Sequence, residues 1–469
     1  MPDSAVPSSS KALHVEGTRL VDGTGATVVL RGFGLGGFLN MENFITGFPG
    51  TESQQRRALR RAMGEEAYTR FFDVLLDSFF APADAEFLAG LGLNSARVPF
   101  SYKHFEDDDA PFQFKEEGFR RLDRVVDACA QHGIYAILDL HALPGWQNQH
   151  WHSDNPTNWS EFWNQRQFQD RVVHLWEALA DRYRDNPWVG GYNPVNEPAD
   201  ASGERIGPFY ERLVAAIRAV DPHKVLFLDG NRYSTDFSMF SEVPEGAVFT
   251  AHDYVLPVIT QDGRYPGEAR GRFYDRDVVE EVFLERTGFM RRTGTPIWVG
   301  EFGPVYTGDP ERDAERLQLL QDQLAIYAEH GASWALWTYK DIGLQGVVTA
   351  RPDSAYLQRI APVLEKKRRL GVDRWGGSDR GIRHVLEPLE RLFEEEFPDF
   401  TPFPWGQKHW IGVLVRSVML SEPMVDEFAA CFAGVGPDEA ERLARSFALD
   451  QCDVREGLAA VLRAQPGAS

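Results

Sequence analysis

Residues 189–198 read Val-Gly-Gly-Tyr-Asn-Pro-Val-Asn-Glu-Pro, and residues 297–303 read Ile-Trp-Val-Gly-Glu-Phe-Gly. Each is a short, mostly apolar run that ends in a glutamate, Glu197 in the first and Glu301 in the second. A continuous apolar run of that length fits a strand covered on both faces, as in a parallel sheet. Six further runs have the same character: 28–33, 95–99, 135–140, 225–229, 248–252 and 333–338. Between them lie stretches with helical spacing. Phe119, Leu122, Val126 and Cys129 form one apolar stripe, stopped by Gly133, and Phe168, Val172, Leu175 and Leu179 form another. Eight strands alternating with helices predict a closed (β/α)8 barrel rather than an open doubly wound sheet. The glycines clustered at 32–37 fit no dinucleotide-binding register, and no helix opens directly after them.

The flanks add two elements. Residues 1–12 are a polar tail, and 13–30 alternate apolar and polar residues around Asp22-Gly23, which predicts a β-hairpin leading into the first strand. The barrel is expected to occupy 13–370. Beyond Leu370 the strand signal stops, and 380–397, 408–433 and 437–464 read as helices separated by Pro- and Gly-containing breaks. Residues 371–469 are therefore expected to be a helical extension whose apolar stripes (Leu386, Leu389, Phe393; Leu443, Phe447) must be buried against something. The basic run 366–369 ends the eighth barrel helix and reads as a solvated face matched to the helix dipole.

Composition narrows the function. The chain has 469 residues, 43% hydrophobic and 25% charged, enough to bury a sizeable core. Asp plus Glu number 70 against 49 Lys plus Arg, a net charge of −21, so neither nucleic acid nor an anionic membrane is an expected partner. No run approaches the roughly 18 apolar residues of a membrane span. The first twelve residues carry no apolar run, so a cytoplasmic location is expected. Three scattered cysteines make no metal spacing and no disulfide framework. Twelve tryptophans supply the flat rings that a carbohydrate cleft uses. Oligomeric state is left unassigned.

In a barrel of this kind the chemistry belongs at the C-terminal ends of the strands. Reading those ends gives Arg97, His141, Asn196, Glu197, His252, Tyr254, Glu301 and Trp337. Polar groups finishing apolar strands are costly there unless they bind something. Glu197 ends the fourth strand and Glu301 the seventh, which places two carboxylates on opposite sides of the mouth. A carboxylate pair flanking a glycosidic bond is what retaining hydrolysis requires. For His141 a buried structural role competes with a functional one, and Trp334 competes with Trp337 for the place under a sugar ring. His150-Trp151-His152 resembles a metal pair, but no third histidine is placed beside it by spacing, so no metal and no cofactor are expected. Arg232, Tyr233, Tyr339, Lys340 and Asp341 are placed near the cleft by position alone.

The ordered motifs Ala-Arg-Val-Pro (96–99), Asp-Leu-His (139–141), Asn-Glu-Pro (196–198), His-x-Tyr (252–254) and Gly-Glu-Phe-Gly (300–303), with Trp337, resemble glycoside hydrolase family 5 over roughly 13–345. The resemblance implies Glu197 as general acid/base and Glu301 as nucleophile. It implies Asn196 on the sugar 2-hydroxyl, Arg97 and Tyr254 bonded to Glu301, His141 and His252 supporting the carboxylates, and Trp337 as an apolar floor. Within the family, 35–46 (Leu-Gly-Gly-Phe-Leu-Asn-Met-Glu-Asn-Phe-Ile-Thr) and 140–148 (Leu-His-Ala-Leu-Pro-Gly-Trp-Gln-Asn) are similar to the exo-β-1,3-glucanase branch. That likeness implies that Glu42 grips the terminal sugar and that Asn148 binds or supports substrate; an ion pair is the competing reading of Glu42. Phe38, Asn43 and 149–155 depart from the branch. The expected function is a retaining, exo-acting hydrolase of β-glucosides or short β-linked oligosaccharides. An endo-acting glycanase, an exo-enzyme for a mannoside or furanoside, and a catalytically silent sugar-binding barrel are the alternatives.

Overall fold

A computed structural model describes residues 8–465 apart from 261 and 374. Eight parallel strands close into a barrel: β1 (Arg31–Gly34), β2 (Ser95–Ser101), β3 (Tyr135–Ala142), β4 (Val189–Asn193), β5 (Leu226–Asp229), β6 (Ala247–His252), β7 (Ile297–Phe302) and β8 (Ser333–Leu336). Neighbours in sequence are neighbours in space, and β8 pairs with β1 to complete the ring. All residues of β2 to β6 are buried, as strands covered on both faces must be. The stripes of the helices Glu116–Gln131 and Arg166–Tyr183 pack on the outside of the strands, and Gly133 ends the first of them in a left-handed conformation, φ 72°. No helix among the described residues is long and apolar enough to cross a membrane.

The N-terminal strands His14–Glu16 and Arg19–Val21 form an antiparallel hairpin whose Leu13 and Leu20 pack under the barrel against Ile137, Phe227 and Trp298. The hairpin turn is at Gly17-Thr18, not around Asp22-Gly23. Asp22 instead builds a second turn, accepting hydrogen bonds from the Thr24 amide and hydroxyl and the Ala26 amide. Both sites carry turn chemistry, and strand pairing chooses between them.

The connection from β1 to β2 carries one short helix, Asn43–Thr46, and three longer ones, Glu52–Met63, Glu65–Ser78 and Pro82–Gly90. The C-terminal region packs on them, Ser421–Ala430 against the first and Pro437–Ala444 against the second. Leu443 and Phe447 are buried there, whereas Leu386 is buried in a separate cluster with Ile382, Ile411 and Val415, and Leu389 and Phe393 are half-buried against it. This region differs from its sequence reading in two respects. The expected helix 408–433 is broken into Gln407–Val413, a π-helical turn Leu414–Met419 and Ser421–Ala430. The expected helix 437–464 is interrupted by a strand, Cys452–Val454, which pairs with Val348–Ala350 and so joins a small sheet with Lys340–Asp341. A three-residue strand is too short for alternation to register.

Two basic side chains expected at the surface or the cleft are instead anchors. Lys367 is buried and donates to the Asn43 carbonyl (2.6 Å) while pairing with Asp373 (2.7 Å). Lys340 is fully buried and donates to Asp84 (2.7 Å) and to the carbonyls of Phe79 (2.6 Å) and Phe447 (2.9 Å), joining the β8 loop, a barrel-side helix and the C-terminal region. Tyr339 also bonds Asp84, and Asp341 accepts from the amides of Gly343, Leu344 and Gln345, so these residues shape the β8 loop.

Replacing Lys340 with Met leaves the Asp84 carboxylate buried without its cation, at a cost of about 3–5 kcal/mol. Denaturant titration of Lys340→Met should show a clearly lower midpoint; an unchanged midpoint would contradict the anchoring role.

Candidate active site

The centre of the barrel mouth is Arg97, on β2 and wholly buried. Its Nη1 donates to Glu301 Oε1 (2.5 Å), Nη2 to Asn196 Oδ1 (2.6 Å) and Nε to Asn193 Oδ1 (3.0 Å), and Nη2 also lies 3.1 Å from Asp139 Oδ2. Burial disfavours the guanidinium charge, but Asp139, Glu301 and Asp229 together outweigh it and raise its pKa further. Glu301 receives a second hydrogen bond from the Tyr254 hydroxyl to Oε2 (3.1 Å). Burial, then the Glu301 charge, push the Tyr254 phenol far above its usual value, so it remains a donor.

Glu301 reaches this centre through a break in strand period. Trp298 packs inward below the site, so alternation alone would point Gly300 inward and Glu301 outward. The pairing of β7 with β6 and β8 shifts register after Val299, and this bulge turns Glu301 to Arg97 and Phe302 out to Tyr327 and Trp334. Gly300 fits the bulge because a Cβ there would stand 2.2 Å from Thr250 Cγ2.

Glu197, beyond the end of β4, sits in left-handed backbone, φ 43°, an uncommon state for a residue with a Cβ. Both of its backbone groups are held: its amide donates to Asp229 Oδ2 (2.9 Å), and its carbonyl accepts from Asn148 Nδ2 (3.0 Å). Its carboxylate lies between two rings, 2.6 Å from His252 Nδ1 and 3.2 Å from His152 Nε2. Burial pushes the carboxyl up, but the two histidines win and hold it well below the usual carboxylate range, while His252 is raised. Oxygens of Glu197 and Glu301 and a nitrogen of His252 all lie within 4.8 Å of one another. That spacing would also suit a metal ion, but the two carboxylates are already faced by Arg97, His252 and His152. Oxygens this close fit the short carboxyl separation of double displacement, about 5–5.5 Å, rather than the wider gap of inversion.

A second layer closes the opposite wall. His141 Nδ1 lies 2.8 Å from Asp139 Oδ2, and its Nε2 lies 3.2 Å from Asn196 Nδ2 and 3.4 Å from Glu42 Oε1. Burial would lower the His141 pKa, but Asp139 and then Glu42 overcome it and raise it to about 10. Trp337 stacks on the His141 ring at 5.4 Å with the planes 2° apart, whereas Trp334 packs against Phe302 away from the mouth. The glycines of the β1 loop are explained by the same indole: a Cβ on Gly34 would fall 2.3 Å, and on Gly36 2.8 Å, from the Trp337 ring.

Arg97, His141, Asn196, Glu197, His252, Tyr254, Glu301, Glu42, Asn148 and Trp337 thus surround one site. Sequence reasoning missed Asp139, Asn193 and Asp229 as partners of this set, and treated His152 as a loop residue. Asp139 opens the Asp-Leu-His motif but was given no role, and Asn193 stands three residues before Asn196. His152 reaches Glu197 through a loop whose course no periodicity fixes.

The family model described as Cellulase (glycosyl hydrolase family 5) matches residues 78–343. A beta-xylosidase of Phanerodontia chrysosporium is 45% identical over 468 residues, covering 96% of this chain and 97% of its own. Endoglucanase C of Acetivibrio thermocellus is 23% identical over 59% of this chain and 89% of its own. Probable glucan 1,3-beta-glucosidase A of Neosartorya fischeri is 24% identical over 73% and 89%. A glycoside hydrolase of known structure, 21% identical, shares the fold with a TM-score of 0.53 over 70% of this chain and 94% of its own.

The His141 shift has a consequence for stability. A histidine raised from 6.5 to about 10 on folding contributes fully below 6.5, and that contribution is lost as pH climbs toward 10. Between pH 7 and 10 the melting temperature of His141→Gln should therefore fall less steeply than that of the unmodified protein. Parallel curves would contradict a cationic His141.

Proposed function

Because the chain belongs to glycosyl hydrolase family 5, we propose that this glycoside hydrolase is an exo-acting retaining β-glycosidase that removes one terminal sugar at a time, with β-xylosides as the favoured donors. The acid/base is Glu197 and the nucleophile is Glu301. Glu301, kept in place by Arg97 and Tyr254, attacks the anomeric carbon, while Glu197 delivers a proton to the departing glycosidic oxygen. His252 supplies that proton across its 2.6 Å contact with Glu197. The resulting glycosyl ester on Glu301 is cleaved by water, whose proton Glu197 accepts. The sugar leaves with its configuration retained.

The observation that carries the exo reading is the closed side of the mouth. Every residue from 32 to 52 is buried, although this stretch is the loop that follows β1 over the site. It is covered by the last barrel helix and the C-terminal region: Lys367 of the former holds the Asn43 carbonyl, and Ser421 Oγ of the latter donates to the Pro49 carbonyl (2.7 Å). Glu42, in that loop, faces His141 at the sugar end of the site and is suited to accept hydrogen bonds from terminal hydroxyls. A long polymer needs an open groove there. The full-length likeness to a beta-xylosidase supports a xyloside donor. A second reading, a β-glucoside donor, is favoured by the β1-loop sequence 35–46 and by the likeness to glucan 1,3-beta-glucosidases.

Parallel assays on aryl β-xyloside and aryl β-glucoside decide between the donors, and the product sizes from an oligosaccharide test the exo reading. Monosaccharide should appear from the first time points; early mid-length fragments would contradict the pocket. Glu42→Gln should lower kcat/KM by about 10- to 100-fold while the protein stays folded, the worth of one or two charge-assisted hydrogen bonds. Glu301→Gly should lose nearly all turnover and regain it with azide, giving an inverted glycosyl azide; near-normal activity without azide would refute the nucleophile assignment.

A further inference from the structure

A cavity of about 1530 Å³ opens beside the catalytic pair. Tyr254, whose hydroxyl bonds Glu301, lies on its wall, so the cavity comes within one side chain of that carboxylate. The rest of its floor includes Arg232 and Leu256, from the loops after β5 and β6. Its roof is not barrel at all: it includes Phe403, Trp405 and His409 of the C-terminal region. We propose that this cavity is the leaving-group subsite, that the C-terminal region supplies its wall, and that Trp405 is the face on which a ring-shaped leaving group, a second sugar or an aryl group, is stacked.

Three observations carry this. The first is connectivity to the acid/base. Trp405 packs on Tyr233 (ring centres 4.6 Å apart, planes at 30°) and on His150 (5.9 Å); His150 in turn packs on His152 (5.7 Å), which touches the Glu197 carboxylate. The group Glu197 protonates is the leaving group, so this aromatic chain ends on the side where the leaving group departs.

The second is exposure. Trp405 remains 42% exposed although three rings, Tyr233, His150 and His409 (4.5 Å, planes at 76°), pack against it and it forms part of a cavity wall. A large apolar ring held in one orientation and left open to a cavity is a stacking surface for a flat ligand.

The third is backbone strain. Arg232, Tyr233 and Ser234 follow one another in left-handed conformation, φ 54°, 59° and 59°, with no glycine among them. Such a run persists only when its surroundings hold it. Here the Tyr233 amide donates to the Pro198 carbonyl (3.3 Å), next to Glu197, and Arg232 Nη2 donates to the Pro404 carbonyl (2.6 Å), next to Trp405. The strained turn therefore fixes the distance between the acid/base and the tryptophan. Arg232 also stands over the Phe403 ring at 5.6 Å, a second tie between the barrel loop and the roof.

The inference rests on the two-carboxylate reading of the site but not on the exo reading. Its test uses kcat/KM, which reports the step in which the leaving group departs. Compared are an aryl β-glycoside, a β-linked disaccharide and the β-glycosyl fluoride of the same donor sugar, whose leaving group has no ring. In Trp405→Ala the ratio of aryl or disaccharide to fluoride should fall about tenfold, the worth of one stacking contact. Trp405→Phe should restore most of it. Trp405→Leu, which keeps apolar bulk without a flat ring, should lose it and covers the case in which the alanine variant fails to fold. A fall in only one of the two ring-bearing arms identifies the ring the subsite accepts. An equal fall in all three arms, or no change in any, overturns the proposal. An endo-type product series from the unmodified enzyme would remove the exo reading and leave these ratios readable.

Discussion

A permanently charged guanidinium with no access to water must be surrounded by acceptors, and Arg97 sets that condition at the middle of the barrel mouth. Its partners come from three further strands and the loop after one of them: Asp139 from β3, Asn193 and Asn196 from β4 and beyond it, Glu301 from β7. Each hydrogen bond that neutralises the cation also fixes a side chain needed elsewhere. Glu301 is held beside Tyr254, Asn196 is turned toward His141, and Asp139 is held where it raises His141. The planar fork makes several of these contacts at once, which a lysine could not do. The register shift in β7 is the backbone's accommodation to the same demand, since without it Glu301 would face the helices.

The two carboxylates proposed to be catalytic owe their different settings to this arrangement. Glu301 is held by a cation that never titrates and a phenol that never ionises near neutrality. Glu197 is held by two histidines, His252 and His152. One carboxylate thus faces a guanidinium and a phenol and the other faces imidazoles, the asymmetry that the proposed double displacement uses. The C-terminal region completes the site from outside the barrel. It covers the β1 loop through Ser421, alongside Lys367 of the last barrel helix, and it brings Trp375 to the Tyr254 ring at 5.4 Å.

The barrel was legible because each strand is buried on both faces and therefore stands out as an apolar run, and the strand ends could be located because those runs stop at polar residues such as His141 and Glu197. What escaped the sequence depends on contacts between distant segments. The bulge at Gly300 is a one-residue offset that leaves no trace in composition. Lys340 and Lys367 read as surface or cleft cations because their buried partners, Asp84 and Asp373, declare themselves only in three dimensions. The strand Cys452–Val454 needs Val348–Ala350 beside it to exist at all. Trp405 and His409 lie beyond the last barrel strand, in a region where no repeat ties sequence position to the mouth.

The central claim is that Glu301, poised by Arg97, forms the covalent bond to the sugar. A 2-deoxy-2-fluoro glycosyl fluoride of the donor sugar slows both steps but departs readily from its fluoride, so the ester accumulates. Digestion and mass spectrometry of the inactivated protein should find one added fluoro-sugar per chain, on the peptide carrying Glu301. A label on the peptide carrying Glu197, or turnover with no ester trapped on any peptide, would contradict the account.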